Sequence, residues 1–126
     1  MEYKAISKYI RVSPRKMRLV ADSIRHVELQ TAIIFLSSTK KSAALPLKKV
    51  LESAIANAKA KNVDIQDLQL AALEVTEGPV MKRWHSVSRG RAHGYKKRMT
   101  HVRVILKKKQ EQQQDTSEKQ MKEKEE

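Results

Sequence analysis

Hydrophobic residues recur every three or four positions through the first half of the chain, which is the spacing of one face of an amphipathic α-helix. The spacing predicts three helices, one beginning at Pro14, a second over 28–37 and a third over 42–61. Each has one apolar stripe that can pack on a core. The stripe residues are Met17, Val20, Ala21 and Ile24 in the first helix, Leu29, Ala32, Ile33 and Leu36 in the second, and Leu47, Val50, Leu51, Ala54 and Ala58 in the third.

Residues at the predicted helix ends agree with these boundaries. Ser13 can accept the free backbone N–H groups of a first helical turn, and Pro14 fits the first helical position, where no N–H is needed. Asn62 is a suitable stop for the third helix. Small residues in the third helix predict close packing against another element rather than a ligand site. They are Ala54, Ala56, Ala58 and Ala60.

Apolar residues at every second position predict strands near the N-terminus and in the second half of the chain. Residues 1–10 alternate weakly, with Tyr3 and Ala5 on one side, which is typical of a short edge strand. In the second half, two extended arms around Gly90 and Gly94 predict a long β-hairpin with its bend between these glycines. The apolar residues of the arms are Leu73, Val75, Val80 and Met81 on the way out and Val102, Val104 and Leu106 on the return.

The predicted hairpin has an apolar base and a charged outer part. Val102, Val104 and Leu106 alternate with mostly basic neighbours, so one face of the base can pack on a core. Toward the bend, Lys and Arg interrupt the apolar pattern on both arms. The fold class is therefore α+β, with three helices packed on a small antiparallel sheet and a long protruding β-hairpin over about 78–100.

The composition changes abruptly after Leu106. Residues 107–126 are mostly Lys, Gln and acidic residues with one apolar side chain, Met121, and their charges cancel. Such a segment cannot bury a core, so it is predicted to be a disordered, charged low-complexity tail. Residues 1–106 then form a single domain.

Charge narrows the class of partner. The chain has a formal net charge of +13, a pI near 10.1 and no cysteine. Residues 78–109 contain Lys, Arg and His but no acid. Such a surface suits a polyanion, and nucleic acid is the commonest one in a cell. No apolar run reaches the roughly 18 residues of a membrane span, and the N-terminus lacks a signal-peptide core. We expect a cytoplasmic protein with no membrane partner.

Geometry predicts that the hairpin leaves the body. One arm from Gly78 to Gly90 reaches roughly 40 Å at about 3.3 Å per residue, whereas a body of about 100 residues has a radius of gyration near 13 Å. An isolated ribbon is marginally stable in water, and like charges across it weaken it further. The hairpin therefore requires a partner that supplies negative charge.

Two groups of residues are the candidate RNA contacts. One surrounds the start of the first helix, itself an anion site, although each Arg there could equally be a solvated residue of a capped surface helix. The other lies along the hairpin, where an Arg guanidinium can form two hydrogen bonds to a phosphate or stack on a base. Trp84 could stack on an unpaired base or pack within the hairpin. The candidates are Arg11, Arg15, Lys16, Arg18, Lys82, Arg83, Trp84, Arg89, Arg91, Lys96, Lys97 and Arg98.

Catalysis and metal binding are not predicted. The basic region has no carboxylate to orient a histidine. His85, His93 and His101 are spaced by eight residues, unlike the close ligands of a metal site. The glycines lie between strands and not in a strand-to-helix phosphate loop. We expect a non-enzymatic binder with no cofactor, no metal and no small-molecule substrate.

Several classes of binder stay open at this point. Contacts spread over an arm and a helix start suit a large folded RNA better than a straight duplex. A free-standing DNA- or RNA-binding module is the first alternative, because two-stranded β-ribbons also bind in the grooves of duplex DNA. A protein of an anionic membrane surface is the second.

Four separated segments carry a family resemblance. They are RKMRLVAD at 15–22, KKVLESAIANA at 48–58, EGPVMKR at 77–83 and RGRA at 89–92. Over about residues 6–106 the chain closely resembles the bacterial large-subunit ribosomal protein twenty-two family. Where many relatives carry Met-Pro-Arg-Ala before the tip glycine, this chain has WHSVS at 84–88.

The resemblance implies both fold and function. The family folds as a small α+β body on large-subunit rRNA, with an extended hairpin that lines the nascent-peptide exit tunnel. It implies as partners the rRNA, neighbouring large-subunit proteins and the nascent polypeptide, on cytoplasmic ribosomes. The implied tunnel-lining tip is Arg89, Gly90 and Arg91, and the implied macrolide-linked region is Met81, Lys82 and Arg83.

Overall fold

The structure, a computed structural model, describes residues 1–109 and places them in three α-helices and one antiparallel sheet. The elements are β1 (Glu2–Ile10), α1 (Pro14–Ile24), α2 (Leu29–Ser38), α3 (Ala44–Lys59), β2 (Leu68–Ser86) and β3 (Ala92–Lys108). The strand order is β1-β3-β2, so the last strand lies between the other two. The predicted α+β class and long hairpin are confirmed. The predicted tail lies, from residue 110 on, outside the described residues.

The core lies between the helices and one face of the sheet. Val102, Val104 and Leu106 of β3 are fully buried. On β1, Tyr3 pairs with Leu106 and Ala5 pairs with Val104, so these buried residues share a face. The alternation predicted for β1 and for the base of the hairpin is confirmed, because only one face of the sheet is covered by helices.

Helix α1 begins at Pro14, as predicted, and its apolar stripe is buried. Ser13 is the N-cap residue, but its side chain makes no capping hydrogen bond. Its backbone carbonyl instead accepts the N–H of Met17 at 3.1 Å. The expected side-chain cap is therefore wrong, and the amides of the first turn are not capped by this hydroxyl.

In α3 the predicted alanine packing is half correct. Ala54 and Ala58 are fully buried, whereas Ala56 and Ala60 are exposed. Residues four apart share a helix face and residues two apart do not, so the four alanines could not all face the core. Asn62 follows the helix with a φ of 59°, the left-handed conformation expected of a helix stop.

Two boundaries of the hairpin differ from the expected ones. Its bend is centred on a short turn at Ser88–Gly90, and Gly94 lies within β3 rather than in the bend. At the other end, β3 continues to Lys108, so the first two residues of the predicted tail are part of a strand. There Lys107 pairs with residues of both neighbouring strands.

The hairpin leaves the body at an irregularity in the β2–β3 pairing between Glu77 and Val80. Gly78 lies here against the opposite strand, and a Cβ added to it would be only 3.0 Å from the carbonyl carbon of Met99. Farther out, every residue from 82 to 98 is exposed. The hairpin therefore projects from the core as its length predicts.

Candidate nucleic-acid interface

The outer half of the hairpin, residues 80–98, is a ribbon whose two faces carry different side chains. Directly paired residues of antiparallel strands share a face. The pairing continues in register from Val80 opposite Arg98 to Ser86 opposite Ala92. One face therefore carries Val80, Lys82, Trp84, Ser86, Ala92, Gly94, Lys96 and Arg98, and the other carries Met81, Arg83, His85, His93, Tyr95 and Lys97.

The tip is a tight turn that presents the two predicted arginines to solvent. The N–H of Val87 donates a hydrogen bond to the carbonyl of Arg91 at 2.9 Å. Arg89 and Gly90 have φ values of 61° and 69°, both in the left-handed region. This conformation is free for glycine but costs a residue with a side chain about 1–3 kcal/mol. Arg89 is thus held at the apex in a strained backbone conformation.

Several acids of the body are ion-paired with neighbouring Lys or Arg side chains. The Arg103 guanidinium donates hydrogen bonds of 2.7 and 2.8 Å to the carboxylate of Glu74 and thereby lowers the pKa of that carboxyl. Hydrogen bonds from Lys4 and Lys107 lower the pKa of Glu2 in the same way. Within residues 1–109, no ion pair involves a cation of the outer half of the hairpin. The seven Lys and Arg residues of 80–98 therefore form a cationic surface with no acid among them.

The predicted helix group lies beside the base of the hairpin. The hydroxyl of buried Thr100 donates a hydrogen bond to the carbonyl of Val12, just before α1. The Arg18 guanidinium donates to the carbonyl of Val75 in β2 at 3.4 Å. All four members of the group, Arg11, Arg15, Lys16 and Arg18, are exposed. The hairpin tip lies roughly 30 Å farther out at about 3.3 Å per residue, so the two groups of cations are well separated.

Sequence analysis missed an aromatic pair on the ribbon. The rings of His85 and Tyr95 stack with centroids 3.9 Å apart and an interplanar angle of 16°. His85 also pairs directly with His93 across the strands. No apolar alternation marks Tyr95 in the sequence. Counting outward from a bend centred on Ser88–Gly90 would have placed these residues on one face.

A second missed contact lies at the base of the hairpin. The backbone N–H of Tyr9 donates to Nδ1 of His101 at 3.1 Å, and the two rings meet edge to face at 5.0 Å. Tyr9 has a φ of 59° because the β1–β3 register shifts between Ser7 and Ile10. A bulge of this kind leaves no periodic signal in the sequence.

The remaining chemistry of the described part is sparse. Residues 1–109 contain no group of three or more His, Cys, Asp or Glu arranged to hold a metal ion. No helix among them is long and apolar enough to cross a membrane. The predicted macrolide-linked residues lie on the projecting ribbon, where the Arg83 guanidinium contacts the Met81 sulfur at 3.5 Å.

A small α+β body that anchors a projecting, strongly basic ribbon is typical of proteins that bind nucleic acid. The family described as Ribosomal protein L22p/L17e matches residues 5–107. The chain is 46% identical over 110 residues to the large ribosomal subunit protein uL22 of Syntrophus aciditrophicus, covering 86% of this chain and all of that one. The uL22 proteins of Bdellovibrio bacteriovorus and Clostridium novyi are 43% and 41% identical over 110 residues, again 86% of this chain and 100% and 99% of theirs. The chain belongs to the ribosomal protein L22p/L17e family.

Family membership confirms several predictions. The chain is a structural protein of the large ribosomal subunit and not an enzyme, and it works on cytoplasmic ribosomes. The resemblance recognised from the four sequence segments is also confirmed.

Proposed function

We propose that the chain stabilises folded large-subunit rRNA and that its hairpin lines the nascent-peptide exit tunnel. The observation that carries this proposal is a projecting ribbon, residues 80–98, whose Lys and Arg side chains are exposed. It contains no acid, and its cations make no ion pair within residues 1–109. A ribbon of this kind gains most from a ligand that surrounds it with phosphates. A crevice in folded rRNA provides that environment, whereas a flat anionic membrane would contact only one face of the ribbon.

The proposed contacts form two groups that a single RNA would bridge. The helix group binds phosphates at the surface, where Arg18 is already held against β2. The ribbon group enters the RNA and contacts phosphates and bases on both faces. The proposed rRNA-binding residues are Arg11, Arg15, Lys16, Arg18, Lys82, Arg83, Trp84, Arg89, Arg91, Lys96, Lys97 and Arg98.

The tip is proposed to face the tunnel and the nascent polypeptide in it. Support comes from the exposed turn at Arg89, Gly90 and Arg91, which lies at the outer end of the hairpin. Residues 81–83 lie at the start of the ribbon, where a change could tilt the whole tip, which supports their proposed link to macrolide sensitivity. Neighbouring large-subunit proteins would contact the body.

Sedimentation tests the proposal. The tagged chain is expected to run with large subunits in a sucrose gradient, and a variant with Lys82, Lys96 and Lys97 changed to Gln is expected to shift toward free protein. The matched control changes three lysines that are ion-paired in the body. These are Lys4, Lys48 and Lys107.

The control should sediment as the unaltered chain does, since its lysines already have acidic partners. If the unaltered chain ran as free protein, or if both triple variants dissociated equally, the assignment of RNA binding to the ribbon would be wrong. A free-standing nucleic-acid-binding module would run as free protein even in its unaltered form.

A further inference from the structure

Trp84 lies on the ribbon in a position that no packing requirement explains. Its direct cross-strand partner is Gly94, and a Cβ built on Gly94 would be 3.6 Å from the indole Nε1 and 3.9 Å from Cδ1. The indole therefore lies over the one residue of the opposite strand that has no side chain. Even so, Trp84 is 66% exposed. A large aromatic surface thus stays open to solvent.

The neighbours of Trp84 on its face are cationic on one side and small on the other. Lys82 and Lys96 pair directly with each other two residues closer to the body. Ser86 and Ala92 pair on the side of the tip. Two positions along a strand span about 6.6 Å. The backbone positions of Trp84 and of the two lysines are therefore separated by a distance similar to that between a base and a neighbouring phosphate.

Two features of this arrangement are unfavourable without a ligand. Like charges directly opposite each other destabilise a strand pair, and neither Lys82 nor Lys96 has an ion pair among residues 1–109. An exposed indole also leaves a large apolar area in water. The aromatic residues of the opposite face, by contrast, already stack on each other. A ligand with one flat aromatic ring and one anionic group would relieve both features.

We propose that Trp84, Lys82 and Lys96 form a binding site for a single unpaired nucleotide of RNA, with the base stacked on the indole and the phosphate between the two lysines. This inference rests on the proposed RNA-binding function and specifies which part of the RNA this face takes. Bases within a duplex have no free face to offer, so the site selects a flipped-out or single-stranded residue. The nascent polypeptide is the rival occupant, but a pair of lysines favours an anion.

The chain supplies its own probe, since Trp84 is its only tryptophan. The full chain is titrated with 5′-labelled oligoadenylate and with an abasic ribose-phosphate oligomer of the same length and charge. Binding is followed by anisotropy of the label and stacking by the emission of Trp84. Oligoadenylate is expected to quench the emission, and the abasic oligomer is expected to bind without quenching it.

Variants separate the two parts of the site. Trp84→Leu should weaken oligoadenylate binding roughly five- to 150-fold, the effect of one lost base stack, and leave abasic binding unchanged, while Trp84→Phe should retain most of the affinity. Lys82→Gln with Lys96→Gln should weaken both oligomers. The control Tyr95→Leu removes an aromatic ring from the opposite face and should not alter the quenching.

The outcomes distinguish this site from the broader function. If both oligomers bound but the emission stayed constant, or if Trp84→Leu weakened both equally, the nucleotide site would be wrong while RNA binding stood. Quenching by an uncharged peptide and not by oligoadenylate would assign the face to the nascent chain instead. If neither oligomer bound, the nucleotide site would be wrong, and the sedimentation test would still decide the broader RNA-binding function.

Discussion

Thr100 and Val12 are 88 residues apart in the chain, yet the hydroxyl of one donates a hydrogen bond to the backbone carbonyl of the other. Thr100 is fully buried and lies in β3 at the base of the hairpin. This single bond attaches the segment before α1 to the base of the hairpin. It thereby fixes the helix group of cations relative to the ribbon.

Replacing Thr100 with Val should leave the carbonyl of Val12 without its partner. The free energy of unfolding is expected to fall by about 1–3 kcal/mol, the cost of an unsatisfied part-buried acceptor. Urea denaturation measures this. The control is Thr76→Val, because the Thr76 hydroxyl makes a 3.4 Å bond at an exposed site, and its effect should stay within about 0.5 kcal/mol. Equal losses would show that the Thr100 bond has no special role.

Gly78→Ala should destabilise the point where the hairpin leaves the body. The added methyl would be 3.0 Å from the backbone carbon and 3.1 Å from the oxygen of Met99, and backbone atoms cannot move aside as a side chain does. Overpacking of this kind costs about 1–3 kcal/mol, which thermal or urea unfolding would detect. Gly94→Ala is the matched control, since its methyl would meet only ordinary contacts at 3.6 Å or more. A tolerated Gly78→Ala would mean that the strands can separate there.

The Glu74–Arg103 pair predicts a pH dependence of stability. Hydrogen bonding to Arg103 lowers the pKa of Glu74 from its ordinary 4.5 in the folded state. A lowered folded-state pKa gives stability that is present above pH 4.5 and is lost as the pH falls through the folded value. The stability of Glu74→Gln relative to the unaltered chain should therefore be lower at neutral pH, with the difference vanishing in acid. A constant difference across pH 3–7 in urea titrations would contradict this.

RNA binding should depend steeply on salt. If about eight cations of the helix group and ribbon contact phosphates, a plot of log affinity against log salt should have a slope near −6, at roughly −0.7 to −0.9 per contact. Filter binding or anisotropy with large-subunit rRNA fragments would measure it. Lys48→Gln should leave the slope unchanged, because Lys48 is 3.7 Å from Glu52 in the body. A slope shallower than about −2 would contradict the charge argument.

The free chain should exchange its ribbon amides much faster than its helix amides. Residues 82–98 bury no side chain, and the cost of ordering them is about 1–2 kcal/mol per residue. The helices instead bury Met17, Leu47 and Leu51 in a common core. Hydrogen exchange should therefore be fast over 82–97 and slow in α1 and α3, and large-subunit rRNA should slow the ribbon. Equal protection in the free chain would show a self-supporting hairpin.

Local periodicity was sufficient to predict most of the elements. The stripes of α1, α2 and α3 and the alternation around Val104 repeat within a few residues, and each reports burial of one face. The basic character of the hairpin could also be predicted, since the absence of acids from 78–109 is visible in the composition alone. The family could be recognised from four short segments because each is a continuous run of residues and needs no knowledge of tertiary contacts.

The tertiary structure alone decided how these elements meet. Both faces of the outer hairpin are exposed, so no apolar alternation specified its register. The sequence therefore predicts a bend too close to Gly94 and does not specify the pairing of Trp84 with Gly94 or of Lys82 with Lys96. The bond between Thr100 and Val12 and the close approach of Gly78 to Met99 join distant parts of the chain. Such contacts depend on the packed positions of whole elements, which a local pattern of residues does not specify.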